Sequence, residues 1–134
     1  MMMPNQDGNR GKDHPRILIV EDDPAVRRSL LLLLKGRGFD AVAYPAAAQA
    51  LADAAVSPPA CLVTDFRLDG QDGIALHSAM RASGWSGPAV LISAFGSNEL
   101  AGRARAAGFA AVFDKPLREH ALVDTVRRLT VAKS

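Results

Sequence analysis

Five side chains that could take part in one reaction each follow a short apolar run of this sequence. They are Glu21, Asp22, Asp65, Ser93 and Lys115. If the apolar runs are neighbouring strands of a parallel sheet, their carboxyl ends lie at one edge, where open α/β sheets bind their ligands. The sequence therefore predicts that carboxylates, a hydroxyl and an ammonium group meet in one crevice.

Three carboxylates in one crevice repel one another unless a positive charge neutralises them. Mg²⁺ suits this position because it prefers oxygen ligands and often binds one or two carboxylates together with phosphate oxygens. Lys115 adds a positive charge and Ser93 a neutral hydroxyl. Together these are the parts of a phosphoryl-transfer site. Asp65 is the better nucleophile because it stands alone, whereas the adjacent Glu21 and Asp22 suit metal binding. The competing interpretation of Asp65 is a carboxylate that caps the next helix.

Alternating strand and helix patterns should position these groups. Continuous aliphatic and β-branched runs predict buried strands at residues 16–20, 61–65 and 89–93. Residues 39–44 alternate weakly and predict a shorter strand, and residues 110–114 are predicted to be the fifth strand. Apolar positions on one helical face, with proline or glycine near the ends, predict helices, at residues 24–35, 46–56, 73–83, 97–107 and 119–131. Strand and helix units joined by short links predict a doubly wound α/β fold of flavodoxin type. Its five parallel strands would take the order 2-1-3-4-5.

Composition and charge limit the classes of protein that fit. The chain has 134 residues, enough for one domain, with a net charge of +2. It lacks a dense basic block, a run long enough to span a membrane and a secretory signal. We therefore expect a cytoplasmic domain over residues 16–131 that binds neither nucleic acid nor membrane, preceded by a loose tail over residues 1–15. The one cysteine, Cys61, should be a buried apolar residue and not a reactive thiol.

Four motifs, taken together and in order, resemble the receiver (CheY-like) domain of bacterial two-component response regulators. The motifs are residues 17–24 (ILIVEDDP), residues 65–68 (DFRL) with Gly73 eight positions after Asp65, residues 90–94 (VLISA), and Gly108 leading to residues 114–116 (DKP). Each motif alone is weak, but their common order and spacing are specific. The resemblance covers nearly all of residues 16–131.

The resemblance implies that Asp65 accepts a phosphoryl group from a sensor histidine kinase in the presence of Mg²⁺. It implies that Asp22 binds the ion directly, Glu21 directly or through water, and Arg67 through its main-chain carbonyl, in addition to Asp65. Ser93 and Lys115 would bind the phosphoryl oxygens, and the peptide bond between Lys115 and Pro116 would be cis.

Phosphorylation would then repack the face built by the fourth helix, fifth strand and fifth helix and change binding to an output protein or a fused effector domain. A homodimer that forms on phosphorylation is left open. The domain would be a switch and not an enzyme, apart from self-phosphorylation by small phosphodonors and its own dephosphorylation.

Three positions depart from the family pattern. Asp69 replaces a common proline, which predicts a looser and more acidic loop. Glu21 replaces an aspartate in the metal pair, a change that should preserve binding. Val112 replaces an aromatic residue that turns inward on activation, and the adjacent Phe113 should point to the other face of its strand. Phe95 is the candidate substitute for that aromatic residue.

Two alternative functions remain. A degenerate receiver would only bind partners, and Val112 leaves this alternative open. A small Mg²⁺-dependent phosphatase would also use an aspartyl nucleophile, but it usually needs a second acid two residues later, where this chain has Arg67. The short segment after the last helix leaves no room for a DNA-binding module, so we expect either a stand-alone regulator or a receiver from a larger regulator or hybrid kinase.

Overall fold

Strands and helices alternate along the whole of the computed structural model, which describes residues 14–94 and 96–131. The strands are β1 (Arg16–Val20), β2 (Asp40–Tyr44), β3 (Cys61–Asp65), β4 (Ala89–Ser93) and β5 (Ala111–Asp114). The helices are α1 (Pro24–Gly36), α2 (Ala47–Val56), α3 (Gly73–Ala82), α4 (Asn98–Ala107) and α5 (Glu119–Val131). These bounds differ by no more than one residue from the predicted ones.

The strands form one parallel sheet in the order β2-β1-β3-β4-β5, which confirms the predicted topology. Strand β1 pairs with both β2 and β3, so that Val20 lies beside Thr64. The carboxyl ends of β1 and β3 are therefore neighbours at one edge of the sheet. Strand β4 continues the sheet on the other side of β3, with Asp65 beside Ile92.

Helices cover both faces of the sheet, and each face has its own apolar core. On one face β-strand residues pack against α1 and α5, through Leu30, Leu34, Leu122 and Val126. On the other face they pack against α2, α3 and α4, through Ala50, Leu76, Met80 and Leu100. Strands β1, β3 and β4 are buried on both faces, which is why their sequences are continuous apolar runs and do not alternate.

The two residues at the centre of β5 lie on opposite faces of the sheet, as predicted. Val112 packs against the core under α2, α3 and α4, whereas Phe113 packs against the core under α1 and α5. Phe113 therefore cannot take the place of the missing aromatic residue at Val112. Phe95, the other candidate for that role, lies outside the described residues.

Side-chain caps fix where the helices begin at the site edge of the sheet. Asp23 accepts hydrogen bonds from the backbone of Ala25 and Val26 and caps α1, as the sequence indicates. Asp72 caps α3 and Ser97 caps α4. Asp65 is not a helix cap, because the cap of α3 is Asp72.

Two smaller expectations can also be compared with the structure. The bond between Lys115 and Pro116 is cis, and Cys61 is fully buried, with burial raising the pKa of its thiol to about 12. The predicted tail over residues 1–15 falls mostly outside the described residues. In the described part of the chain, no helix has the length and apolar character needed to cross a bilayer.

Candidate functional site

A cavity of about 450 Å³ opens at the carboxyl edge of the sheet, above the ends of β1, β3, β4 and β5. Every residue that the sequence predicted for the site lines it. These residues are Glu21, Asp22, Asp65, Arg67, Ser93 and Lys115. The doubly wound strand order is what brings them together, because Glu21 and Lys115 are 94 positions apart in the chain.

Lys115 joins the two buried carboxylates of the cavity. Its Nζ lies 2.9 Å from Glu21 Oε1 and 3.4 Å from Asp65 Oδ2. The side chains of Glu21 and Asp65 are 1% and 7% exposed, and that of Lys115 is 20% exposed. The second Glu21 oxygen accepts a hydrogen bond from the backbone N–H of Asp23 at 3.1 Å. Glu21 is thus held by two partners, whereas Asp65 has one weaker contact with the lysine.

Burial and charge crowding change the acidity of this group of residues. The pKa of Glu21 is raised from its ordinary value, because burial penalises the carboxylate and Asp65 adds like charge, although the hydrogen bonds from Lys115 and Asp23 oppose this. The pKa of Lys115 is also raised. Burial acts to lower it, but the hydrogen bonds and charges of Glu21 and Asp65 together outweigh that effect. Lys115 therefore stays fully charged at neutral pH.

Three carboxylates are close enough to share one cation. Glu21, Asp22 and Asp65 each place one oxygen within 4.8 Å of the others. Glu21 and Asp65 are buried and Asp22 is exposed, so the group is open on one side. A set of oxygen donors with room for water fits Mg²⁺ better than a soft metal. The main-chain carbonyl of Arg67 as a further ligand stays a prediction, although Arg67 lies at the same cavity.

Asp65 is positioned by the buried strand before it and by a close turn after it. All five residues of β3 are buried. The N–H of Phe66 donates to the carbonyl of Ile92 at 2.7 Å, and the N–H of Gly73 donates to the carbonyl of Phe66 at 2.7 Å. A Cβ at Gly73 would collide with the main-chain oxygen of Asp65. The glycine eight residues after Asp65 thus lets α3 begin directly beside the acidic residue.

Ser93 ends β4 and Lys115 directly follows β5, and the two residues are joined through the backbone. The N–H of Lys115 donates to the carbonyl of Ser93 at 2.8 Å. Ser93 is buried at the end of β4 and also lines the cavity. Ser93 and Lys115 therefore both lie at the cavity that contains Asp65.

Two charged residues of α4 at the cavity were not singled out from the sequence. Glu99 and Arg103 line it, and the guanidinium carbon of Arg103 lies 5.6 Å from the centre of the Phe66 ring. Their spacing of four residues places both on one face of α4. That spacing was visible in the sequence, but it did not show that this face turns toward Asp65.

Residues 17–127 match the family described as the response regulator receiver domain. This chain belongs to that family. It is therefore a receiver domain of two-component response regulators, a class of signalling proteins. Three features of this structure agree with the assignment. They are the group of carboxylates formed by Glu21, Asp22 and Asp65, the position of Lys115 beside them, and the strand order.

Curated relatives and solved structures agree with the family. The chain is 34% identical over 110 residues to the transcriptional regulatory protein FixJ of Azorhizobium caulinodans, a match covering 81% of this chain and 52% of the relative. It is 31% identical over 110 residues to nodulation protein W of Bradyrhizobium diazoefficiens, covering 82% and 48%. The beryllofluoride-activated receiver domain of RstA from Klebsiella pneumoniae is 27% identical, with a TM-score of 0.80 and coverage of 87% and 98%. The chain thus spans about half the length of these curated relatives and nearly all of the solved receiver domain.

Proposed function

We propose that Asp65 is the phosphoacceptor of this receiver domain and that its phosphorylation switches the binding of an output partner. The observation that supports this most strongly is the contact of one ammonium group, Lys115 Nζ, with both Glu21 and Asp65 inside the cavity that Ser93 also lines. A nucleophile, a group of metal-binding oxygens, a cation and a hydroxyl are then within one cavity. These are the parts that phosphoryl transfer to a carboxylate needs.

In the proposed reaction a carboxylate oxygen of Asp65 attacks the phosphorus atom of a phosphohistidine on the sensor kinase. The new P–O bond forms as the P–N bond breaks. The electron pair of the broken bond returns to the imidazole nitrogen, and the imidazole leaves neutral after taking a proton from water. Lys115 lies 3.4 Å from Asp65 and would stabilise the equatorial oxygens, while Ser93 would donate a hydrogen bond to one of them.

Glu21 and Asp22, with Asp65, are the residues that would hold Mg²⁺, and Arg67 would add its carbonyl. When bound, the ion neutralises charge on the phosphoryl oxygens. Glu21 is anchored by Lys115 and by the backbone N–H of Asp23. It can therefore keep its position both before and after a phosphoryl group adds negative charge to the cavity.

The partners that we propose are a sensor histidine kinase and an output protein or effector domain, in the cytoplasm. The family assignment and the longer curated relatives, named as regulatory proteins, support this. The output surface would be the face of α4, β5 and α5, whose inner residues are close to Ser93 and Lys115. A homodimer that forms on phosphorylation remains one form that the output could take.

A receiver that binds partners without phosphorylation is the second candidate, which Val112, in place of the family's aromatic residue, leaves open. One experiment separates the candidates. The protein is incubated with acetyl phosphate, with and without Mg²⁺, and its intact mass is measured for wild type and Asp65→Asn. We expect one added phosphoryl group on wild type that needs Mg²⁺ and is absent from the variant. Labelling of neither protein would favour a receiver that only binds partners, and equal labelling of both would exclude Asp65 as the acceptor. In a separate assay, turnover of p-nitrophenyl phosphate would favour a phosphatase.

A further inference from the structure

Arg103 of α4 lines the cavity that contains Asp65 and contacts an aromatic ring there. Its guanidinium carbon is 5.6 Å from the centre of the ring of Phe66, the residue that follows Asp65 in the chain. This distance lies in the range of a cation–π contact, which is a weak interaction at an exposed site. Within residues 14–94 and 96–131, no carboxylate forms an ion pair with Arg103. The guanidinium is therefore a charge at the cavity that is only weakly engaged.

The charges that line the cavity make such a cation useful once a phosphoryl group is present. Five lining residues are acidic and three are basic. Of the basic residues, Lys115 is already bound by Glu21 and Asp65. Phosphorylation adds about one net negative charge and new acceptor oxygens. A guanidinium on a long side chain can turn from the Phe66 ring toward these oxygens and bind them through two N–H groups.

The helix that carries Arg103 has space beside it. A cleft of about 220 Å³ lies between α4 and β5, lined in part by Leu100, Ala101, Val112 and Asp114. Val112 is small for this position, and the cleft adjoins it. A pull on Arg103 would therefore act on a helix that has this cleft on its opposite side.

We propose that Arg103 binds the phosphoryl group on Asp65 and thereby couples phosphorylation to the position of α4. This inference rests on the proposed role of Asp65. Arg67 lines the same cavity but belongs to the segment between β3 and α3, so its movement would not act directly on α4. Arg103 acts after the transfer, as a contact that holds the phosphorylated state, and forms no part of the bond-making step. The coupling would give this chain a direct link between the phosphoryl group and α4, in a chain that has Val112 where the family pattern has an aromatic residue.

Beryllofluoride with Mg²⁺, a non-covalent mimic of a phosphoryl group on a carboxylate, is the probe that tests the coupling. Amide NMR spectra of wild type, Arg103→Met and Arg105→Met are recorded during the titration. Methionine keeps the apolar part of the side chain against Phe66 and removes only the charge. Arg105 is the matched control, since it is an exposed arginine of the same helix that lines the cleft beside β5 and not the cavity.

We expect Arg103→Met to weaken the apparent affinity for beryllofluoride about fivefold, which is near the upper end for an exposed charge pair. The shifts of the α4 amides on binding should be reduced in this variant and unchanged in Arg105→Met. The affinity ratio between wild type and Arg103→Met should fall toward one as salt is raised, because the cavity is open to solvent.

Two results would overturn the inference, and a third would refute the proposal on which it rests. Equal affinity and equal α4 shifts in wild type and Arg103→Met would show that Arg103 does not bind the phosphoryl group. An affinity ratio that differs from one but does not change with salt would show that the effect does not come from the charge of Arg103. Failure of wild type itself to bind beryllofluoride would instead refute the proposed role of Asp65, on which the inference depends.

Discussion

Lys115 is the residue whose removal should reveal most about the site without any ligand. The change Lys115→Met keeps a side chain of similar length and removes the charge. It leaves Glu21, which is 1% exposed, and Asp65, which is 7% exposed, without their shared cation. Removing one partner of a buried ion pair typically costs about 3–5 kcal/mol, since the other charge stays buried and unpaired.

The cost here should be smaller than that range, because the Lys115 side chain is 20% exposed and the cavity admits water. We expect a loss of about 2–3 kcal/mol in the free energy of unfolding at pH 7 without divalent cations. The loss should shrink as the pH approaches 4.5, the ordinary pKa of glutamate. The reason is that burial raises the pKa of Glu21 in the folded state, so that protonation of this residue stabilises the fold at low pH. This stabilisation is lost as the pH rises through the folded-state pKa.

Urea unfolding followed by circular dichroism measures this, in EDTA, for wild type, Lys115→Met, Glu21→Gln and the double variant. Glu21→Gln removes the buried charge, so the double variant should be no less stable than Lys115→Met alone. The coupling between the two sites should be about 1–2 kcal/mol. Strict additivity of the two changes, or a Lys115→Met loss that does not depend on pH, would refute the ion pair as the cause.

Three further outcomes follow from the structure. Acidification below pH 6.5 should destabilise wild type more than His77→Leu, by up to about 1.4 kcal/mol per pH unit in urea unfolding. The reason is that burial lowers the pKa of His77, so that only the unfolded state takes up the proton. Gly73→Ala should lower the free energy of unfolding by about 1–3 kcal/mol, because the added Cβ meets the main-chain oxygen of Asp65. Gly102→Ala in α4 has open space around the added Cβ and should raise the free energy of unfolding by about 0.5–1 kcal/mol in the same assay. At ten times its dissociation constant, Mg²⁺ should stabilise wild type by about 1.4 kcal/mol and Asp22→Asn much less, as measured by thermal unfolding.

The strands and their order could be predicted because burial on both faces leaves a simple pattern. Residues 17–20 and 89–92 are continuous apolar runs, and each is followed by a polar group at the site edge. Once β1 and β3 are neighbours, the meeting of Glu21 with Asp65 follows from the topology alone. Lys115 could be placed at the same edge for the same reason.

The contacts between side chains could not be predicted in this way. The sequence did not show that Lys115 would bind Glu21 at a shorter distance than Asp65, because this depends on how deeply each strand end is buried. It did not show that Arg103 would lie over Phe66, because the rotation of α4 about its axis is set by the packing of Leu100 and Ala104. It also left open whether His77 is on the surface or in the core. The structure buries His77 against Phe109, with ring centres 4.5 Å apart.

The central claim is that Asp65 carries the phosphoryl group, and mapping the modified residue tests it most directly. After incubation with acetyl phosphate and Mg²⁺, the acyl phosphate is reduced with borohydride and the peptides are sequenced by tandem mass spectrometry. We expect one reduced position, Asp65. Reduction at Asp22, Asp69 or Asp72, with Asp65 unmodified, would contradict it.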